Sequence, residues 1–199
     1  VGVKTPHAEY RCGSVVHAVP LSKLFHLIHE DVFNPGFVAY IKSIQSSTGL
    51  NIDFVTNRPL AEDMGSILGV DVPIWVKFPT NFDPQVAPKG LHISTWGILF
   101  PFDSPVTPQV AHDAENRIDR VLDEVFPGAR DHIVEKRRMV IPVINGNVLM
   151  PRHSYPHRPA IASTDVSNLF FVGDTTQGEG CSSDIAFSSA LRLAELLPA

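Results

Sequence analysis

Leu50, Ile52 and Phe54 alternate with polar neighbours, a period of two that predicts a half-buried strand over Gly49–Asn57. Ile74–Phe78 and Leu91–Leu99 read as further strands. The aromatics Trp75, Phe78, Trp96, Phe100 and Phe102 suit either a core or a substrate cleft. The period changes after Thr107-Pro108. Ala111, Ala114, Ile118, Val121, Leu122 and Val125 fall on one helical stripe. Asp113–Arg117 and Arg120–Glu124 are spaced four apart on the wet side. Pro127-Gly128 stops this helix. Asn34-Pro35 is another start signal, a capping side chain followed by a ring with preset φ. Phe37, Val38, Ile41 and Ile44 then share a face. Ser22 is placed to cap a short helix bearing Leu24, Phe25, Leu27 and Ile28. His132–Ile141 predicts a strand, and Pro79–Lys89 and Pro142–Thr164 read as loop.

The two ends follow a different pattern. Val3–Lys4 and Arg11–Val19 suggest a hairpin. Ser14–Val19 and Leu169–Val172 are nearly all apolar, as in parallel strands buried on both faces. A helix is predicted over Ser183–Leu197. The expected class is α+β: a mixed β-sheet domain with packed helices over residues 21–138. Residues 1–20 and 139–199 flank it as remnants of a parallel sheet.

Composition narrows the function classes. The chain has 199 residues, 44% hydrophobic and 19% charged, an ordinary globular balance. A net charge of −5 gives no nucleic-acid footprint, and Lys136-Arg137-Arg138 is a lone basic cluster. Cys12 and Cys181 are far apart and unpatterned, which favours a reduced, cytoplasmic setting. No apolar run reaches the roughly 18 residues of a membrane helix. The chain opens at Val1 in what reads as a strand already in progress, so the front of a longer protein is expected to be missing.

The stretch Asn168–Leu197 carries the candidate chemistry. Phe170-Phe171-Val172 leads to the carboxyl end of a strand, where open α/β sheets place ligands. Gly173 allows close backbone approach, and Asp174 is a short acceptor suited to a sugar hydroxyl. Gly178 and Gly180 keep the turn bare. Ser182, Ser183 and Asp184 open a helix whose free amides attract a group gaining negative charge. Spacing alone serves equally well a plain strand-turn-helix with Ser183 as N-cap. Cys181, beside the helix start, is a candidate nucleophile. His26 and His29 with Glu30, or His153 and His157, are candidate metal pairs, though Pro156 interrupts the second. No metal site and no catalytic base are assigned.

The same stretch resembles the carboxyl-terminal FAD motif of the flavin amine oxidase and phytoene desaturase superfamily. The matching positions are Asn168-Leu169-Phe170-Phe171-Val172-Gly173-Asp174, then Ala186, Ser189-Ala190 and Ala194. Ser14–Pro20 is similar to that superfamily's strand ending in a proline beside the flavin. Ala87-Pro88-Lys89-Gly90-Leu91-His92 is similar to its Ala-Pro-x-Gly turn, and Arg158-Pro159 also fits. The resemblance implies a fragment of an FAD-dependent oxidoreductase that passes hydride from an organic substrate to flavin. Gly173 and Asp174 would meet the ribityl chain. The amides around Ser183, Asp184 and Ile185 would meet the reducing ring, and Val19 and Pro20 its face. Two departures stand out. The Gly-x-Gly-x-x-Gly pyrophosphate motif and its ribose acid are absent, and Ala190 stands where glycine is usual. FAD is therefore expected in a parent protein, with a missing amino-terminal half, and not on this chain alone. A small organic substrate is implied. The turn Asn147–Arg158 has Tyr155 but no paired aromatic cage, which leans to the desaturase side and an apolar substrate. Exposed strand edges are expected to promote homo-oligomers. The alternatives are a non-catalytic α+β binding module and a cysteine or metal hydrolase.

Overall fold

A computed structural model of the chain describes residues 2–62, 65–101, 105–148 and 150–197; Phe102 lies outside them. Helices, antiparallel strands and one parallel pair occur together, an α+β arrangement. The chain divides into two compact units, residues 47–144 and residues 1–46 with 145–199. Leu21–Ser46 thus groups with the chain ends and not with the middle. The physical reason is a cluster in which Leu21, Leu24, Phe33 and Ile41 pack with Leu169 and Phe171. Phe37 stacks on both Phe33 and Phe171, at 5.0 and 5.7 Å between ring centres.

In the first unit, β1 (Gly2–Lys4) and β2 (Glu9–Arg11) form an antiparallel hairpin. The expected second hairpin strand is cut short. β3 (Val15–His17) leaves it to pair in parallel with a strand from the other end of the chain. Burial on both faces is not realised either: Val16 and Val19 are 41% and 48% exposed. Ser22 caps nothing, because Leu21–His26 is a 3₁₀ segment that begins after Pro20. The Asn34 signal is realised. α1 (Pro35–Lys42) starts there, with the Asn34 side chain accepting from the Phe37 amide at 2.9 Å.

The second unit is a five-stranded sheet carrying one long helix. β4 (Ser47–Thr56) turns Leu50, Ile52 and Phe54 inward, as their spacing requires. β5 (Ser66–Leu68) was not foreseen, since three residues carry too little periodicity. β6 (Ile74–Lys77) precedes α2 (Pro79–Phe82), a single turn within the expected loop. β7 (His92–Phe100) pairs with β4 and β6, both antiparallel. α3 (Pro108–Val125) begins at Thr107, whose hydroxyl accepts from the Val110 amide. β8 (Ile133–Asn145) runs four residues past its expected end at Ile141 and completes the order β5-β6-β7-β4-β8. Ile118 and Leu122 of α3 sit at 0% exposure against Leu50, Phe54 and Trp96.

Phe78, Trp96 and Phe100 belong to this core, whereas Trp75 is half-buried and packs on Gly97 on the opposite face of the sheet. The charge pairs along α3 differ from the four-apart expectation. Neither foreseen pair closes among the described residues. Instead Asp123 pairs with Arg130, and Glu115 and Asp119 hold Lys136 on β8. The helix uses its acids to tie down a neighbouring strand and turn. Among the described residues, no helix is long and apolar enough to cross a membrane.

Candidate functional site

The first unit closes with β9 (Leu169–Phe171), a tight turn, and α4 (Ser183–Leu196). β3 and β9 pair in parallel, Val15 with Leu169 through His17 with Phe171, so both carboxyl ends reach the same edge. The Val172 amide donates to the His17 carbonyl, and the Leu21 amide donates to Thr175 Oγ1 at 3.1 Å. These bonds set Val19 and Pro20 beside the Gly173-Asp174 corner, over 150 residues away in sequence.

The corner is bare where the sequence requires it. Gly173 has φ of +125°, and a Cβ there would meet nothing within 4 Å. A side chain would be strained and would fill the open space. The Gly173 amide is anchored by Ser189 Oγ on α4 at 2.9 Å, and Thr175 and Thr176 are fully buried. Asp174 is only half exposed. Its Oδ2 accepts from the Gly146 amide at 2.6 Å, so one carboxylate oxygen is spent on the loop after β8 and Oδ1 remains.

α4 starts without a side-chain cap. Ser182 occupies the N-cap position with φ of 51° and makes no capping bond, and Ser183 is the first helical residue, not the cap. Ser182 Oγ donates instead to Asn145 Oδ1 at 2.9 Å. The Asp184 amide bonds the Cys181 carbonyl. Ser183 and Asp184 are exposed, whereas the Ile185 side chain is buried with its backbone against Gly178. An uncapped helix start beside an open glycine corner can receive a polar group that gains negative charge. Ile185 can contribute only its backbone to that.

The competing candidates make ordinary contacts. Cys181 Sγ faces Asp184 Oδ2 at 3.9 Å. His29 pairs with Asp31. His153 is 1% exposed, with Nε2 3.1 Å from Ser43 Oγ. Among the described residues no three His, Cys, Asp or Glu side chains converge as metal ligands.

No protein-family profile and no curated protein matches the sequence. Solved structures do match the fold. An oxidoreductase from Methanosarcina mazei superposes with a TM-score of 0.69 at 20% identity, over 96% of this chain and 44% of that one. Reduced UDP-galactopyranose mutase gives 0.64 at 12%, over 96% and 44%. Cyclohexylamine oxidase from Brevibacterium oxydans gives 0.61 at 12%, over 98% and 46%. The chain carries part of the fold that these structures share. It spans less than half the length of each of these proteins.

Several residues at the corner escaped the sequence reading. Gly146 and Asn145 reach it only through contacts 28 and 37 residues apart, and Thr175, next to Asp174, ties it to Leu21, 154 residues away. Behind it lies a polar cluster of Tyr40, Ser43, Asn147, His153 and Arg158. Arg158 is 5% exposed and donates from Nε to the His153 carbonyl and from Nη1 to the Gly178 carbonyl. The Tyr40 ring meets His153 edge-on at 5.3 Å. Burial holds His153 below the usual imidazole range, helped by the Arg152 and Arg158 charges against a Val148 backbone bond. Burial raises the Tyr40 hydroxyl, against the pull of Arg158 and Asn147. His17 is also depressed by burial, partly offset by backbone groups at His17 and Val19. Of this cluster the sequence reading had singled out only Arg158, with Pro159, and His153, the latter in a candidate metal pair.

Proposed function

We propose that the chain supplies the substrate-type sheet and the last flavin-contacting segment of an FAD-dependent oxidoreductase of the amine oxidase and phytoene desaturase kind. The observation that carries this reading is the β3–β9 pairing, which sets Val19-Pro20 and Gly173-Asp174 along one edge, with Asp174 and the residue before α4, Ser182, bonded to the adjacent residues Gly146 and Asn145. The residues fit one end of the cofactor. Gly173 leaves room for a ring or polyol against the backbone, and Asp174 Oδ1 is an acceptor for a ribityl hydroxyl. The amides of Ser183 and Ile185 favour the electron-rich edge of the ring, that of Asp184 being taken by the Cys181 carbonyl. Val19 and Pro20 offer an apolar surface to its face. When bound, the flavin supplies the redox chemistry by accepting hydride from a small organic substrate. The chain's own residues orient the ring and shape the field around it. The pyrophosphate and adenosine ends call for a glycine turn that this sequence lacks, so they fall to a dinucleotide-binding half of a longer protein or a partner.

The test uses flavin absorbance and calorimetry on this chain and on a longer protein that includes such a half. The chain alone should bind FAD at roughly millimolar strength or weaker, since each lost contact to a charged group removes about 1.5–3 kcal/mol. In the longer protein, Asp174→Ala should weaken FAD retention by about one to two decades. Tight yellow binding by this chain alone, or indifference to Asp174→Ala, counts against the assignment.

A further inference from the structure

Arg158 is a buried cation without a counter-charge. It is 5% exposed, and no acid pairs with it among the described residues. Its two hydrogen bonds go to the carbonyls of His153 and Gly178, leaving the other guanidinium N–H groups without a protein acceptor. The groups packed behind it bring no negative charge. Asn147 is 5% exposed and faces the Tyr40 hydroxyl, and the buried His153 ring lies against the Val148 backbone. None of the three is a carboxylate. A guanidinium held in such surroundings is costly unless an anion meets it.

The space for one is present. Arg158 lines a cavity of about 480 Å³ within the first unit. That volume falls in the range of small-molecule sites, roughly 300–1,000 Å³. Met150, Pro151 and Tyr155 give it apolar walls, and the Tyr155 ring is held by the Arg192 guanidinium over its face and at its hydroxyl. Glu179 is exposed at the opening. Its carboxylate opposes a second negative charge and so selects against a dianion such as phosphate. A planar carboxylate also matches the guanidinium fork better than a tetrahedral anion of higher charge.

We propose that Arg158 and the cavity it lines bind a monocarboxylate carried on a small apolar body. The site requires no flavin and stands or falls independently of the cofactor reading. The bland alternative is that Arg158 only staples two loop carbonyls together while water fills the cavity.

The experiment titrates the full chain with sodium butyrate at fixed ionic strength, read by calorimetry and by the Arg158 Nε–Hε resonance. Saturable one-to-one binding that moves this resonance is expected. Butyramide, with the same shape and no charge, should not compete. Propylphosphonate, at a pH where it is doubly ionised, should bind more weakly than butyrate. Glu179→Gln alters an exposed side chain, and should tighten butyrate by about two- to fivefold and propylphosphonate by more. Arg158→Lys keeps the charge and loses the fork, and should weaken butyrate about tenfold or more. If that variant fails to fold, the carboxylate and phosphonate series in the wild type and Glu179→Gln still decides. Absence of saturable butyrate binding, equal binding of butyramide, or identical responses of both anions to Glu179→Gln would overturn the proposal.

Discussion

Trp75 lies across Gly97 on the sheet face away from α3, and the contact is so close that a Cβ on Gly97 would fall 2.2 Å from the indole ring. Gly97→Ala should therefore displace Trp75 and destabilise the second unit by about 1–3 kcal/mol. A red shift in tryptophan emission with a lower denaturant midpoint is the expected signature, and an unchanged emission maximum would contradict it. His17 and His153 give the first unit a pH dependence of known sign. Burial holds both below 6.5. As the pH falls below 6.5 the unfolded chain takes up protons that the folded chain refuses, so stability is lost; above 6.5 these groups contribute no slope. The reporters are conveniently divided. Tyr10, Tyr40 and Tyr155 are all in the first unit, and Trp75 and Trp96 are both in the second. Tyrosine-detected unfolding should weaken below 6.5 while the tryptophan-detected transition loses less, and His17→Leu should flatten part of that slope. Parallel loss by both probes would place the titrating groups elsewhere.

Elements differed in how much of them could be read from sequence. α1 and α3 were legible because a capping side chain, a proline at the first turn and a 3.6-residue stripe all pointed to the same start. β4 was legible because Leu50, Ile52 and Phe54 alternate with polar neighbours inside a ten-residue strand. β3 was legible as a short apolar parallel strand within Ser14–Val19, but its three-residue extent and its register were not, since they are set by a partner strand over 150 positions away. The same limit hid the clustering of Leu21–Ile41 with β9, and it hid Gly146 at Asp174. The corner itself was legible from Gly173 and Asp174; its lining was not. The legible elements also make firm predictions. Thr107→Ala removes the hydroxyl that caps the Val110 amide and should cost about 1 kcal/mol. Ile118→Ala, at 0% exposure on the same helix, should cost about 2–5 kcal/mol. Chemical denaturation should rank these two in that order, and a Thr107→Ala cost equal to that of Ile118→Ala would mean that the helix start, not its buried face, limits the unit.

At the scale of the whole molecule, the two units differ in how far they satisfy themselves. The second has five strands and a helix that buries one full stripe against them. The first has a two-stranded parallel sheet, a form ordinarily found buried within larger parallel sheets. The edge of β3 away from β9 has no strand beside it among the described residues, and Val16 and Val19 are 41% and 48% exposed along it. On α4, Phe187 and Leu191 stand four residues apart, each 69% exposed. Unpaired strand edges and contiguous apolar side chains recruit partners, either a further half of a longer protein or another copy of the same chain. For the isolated chain the second outcome is expected. Its mass by light scattering should rise with concentration, and Val16→Lys, which places a charge on the open strand, should return it toward the monomer. Because Tyr10, Tyr40 and Tyr155 share the first unit with Val16, an unchanged tyrosine-detected unfolding transition in that variant separates lost association from lost folding. A monomer at every concentration in the unsubstituted chain would show that these surfaces are tolerated in water, and the case for an absent partner half would then rest on the Gly173-Asp174 corner alone.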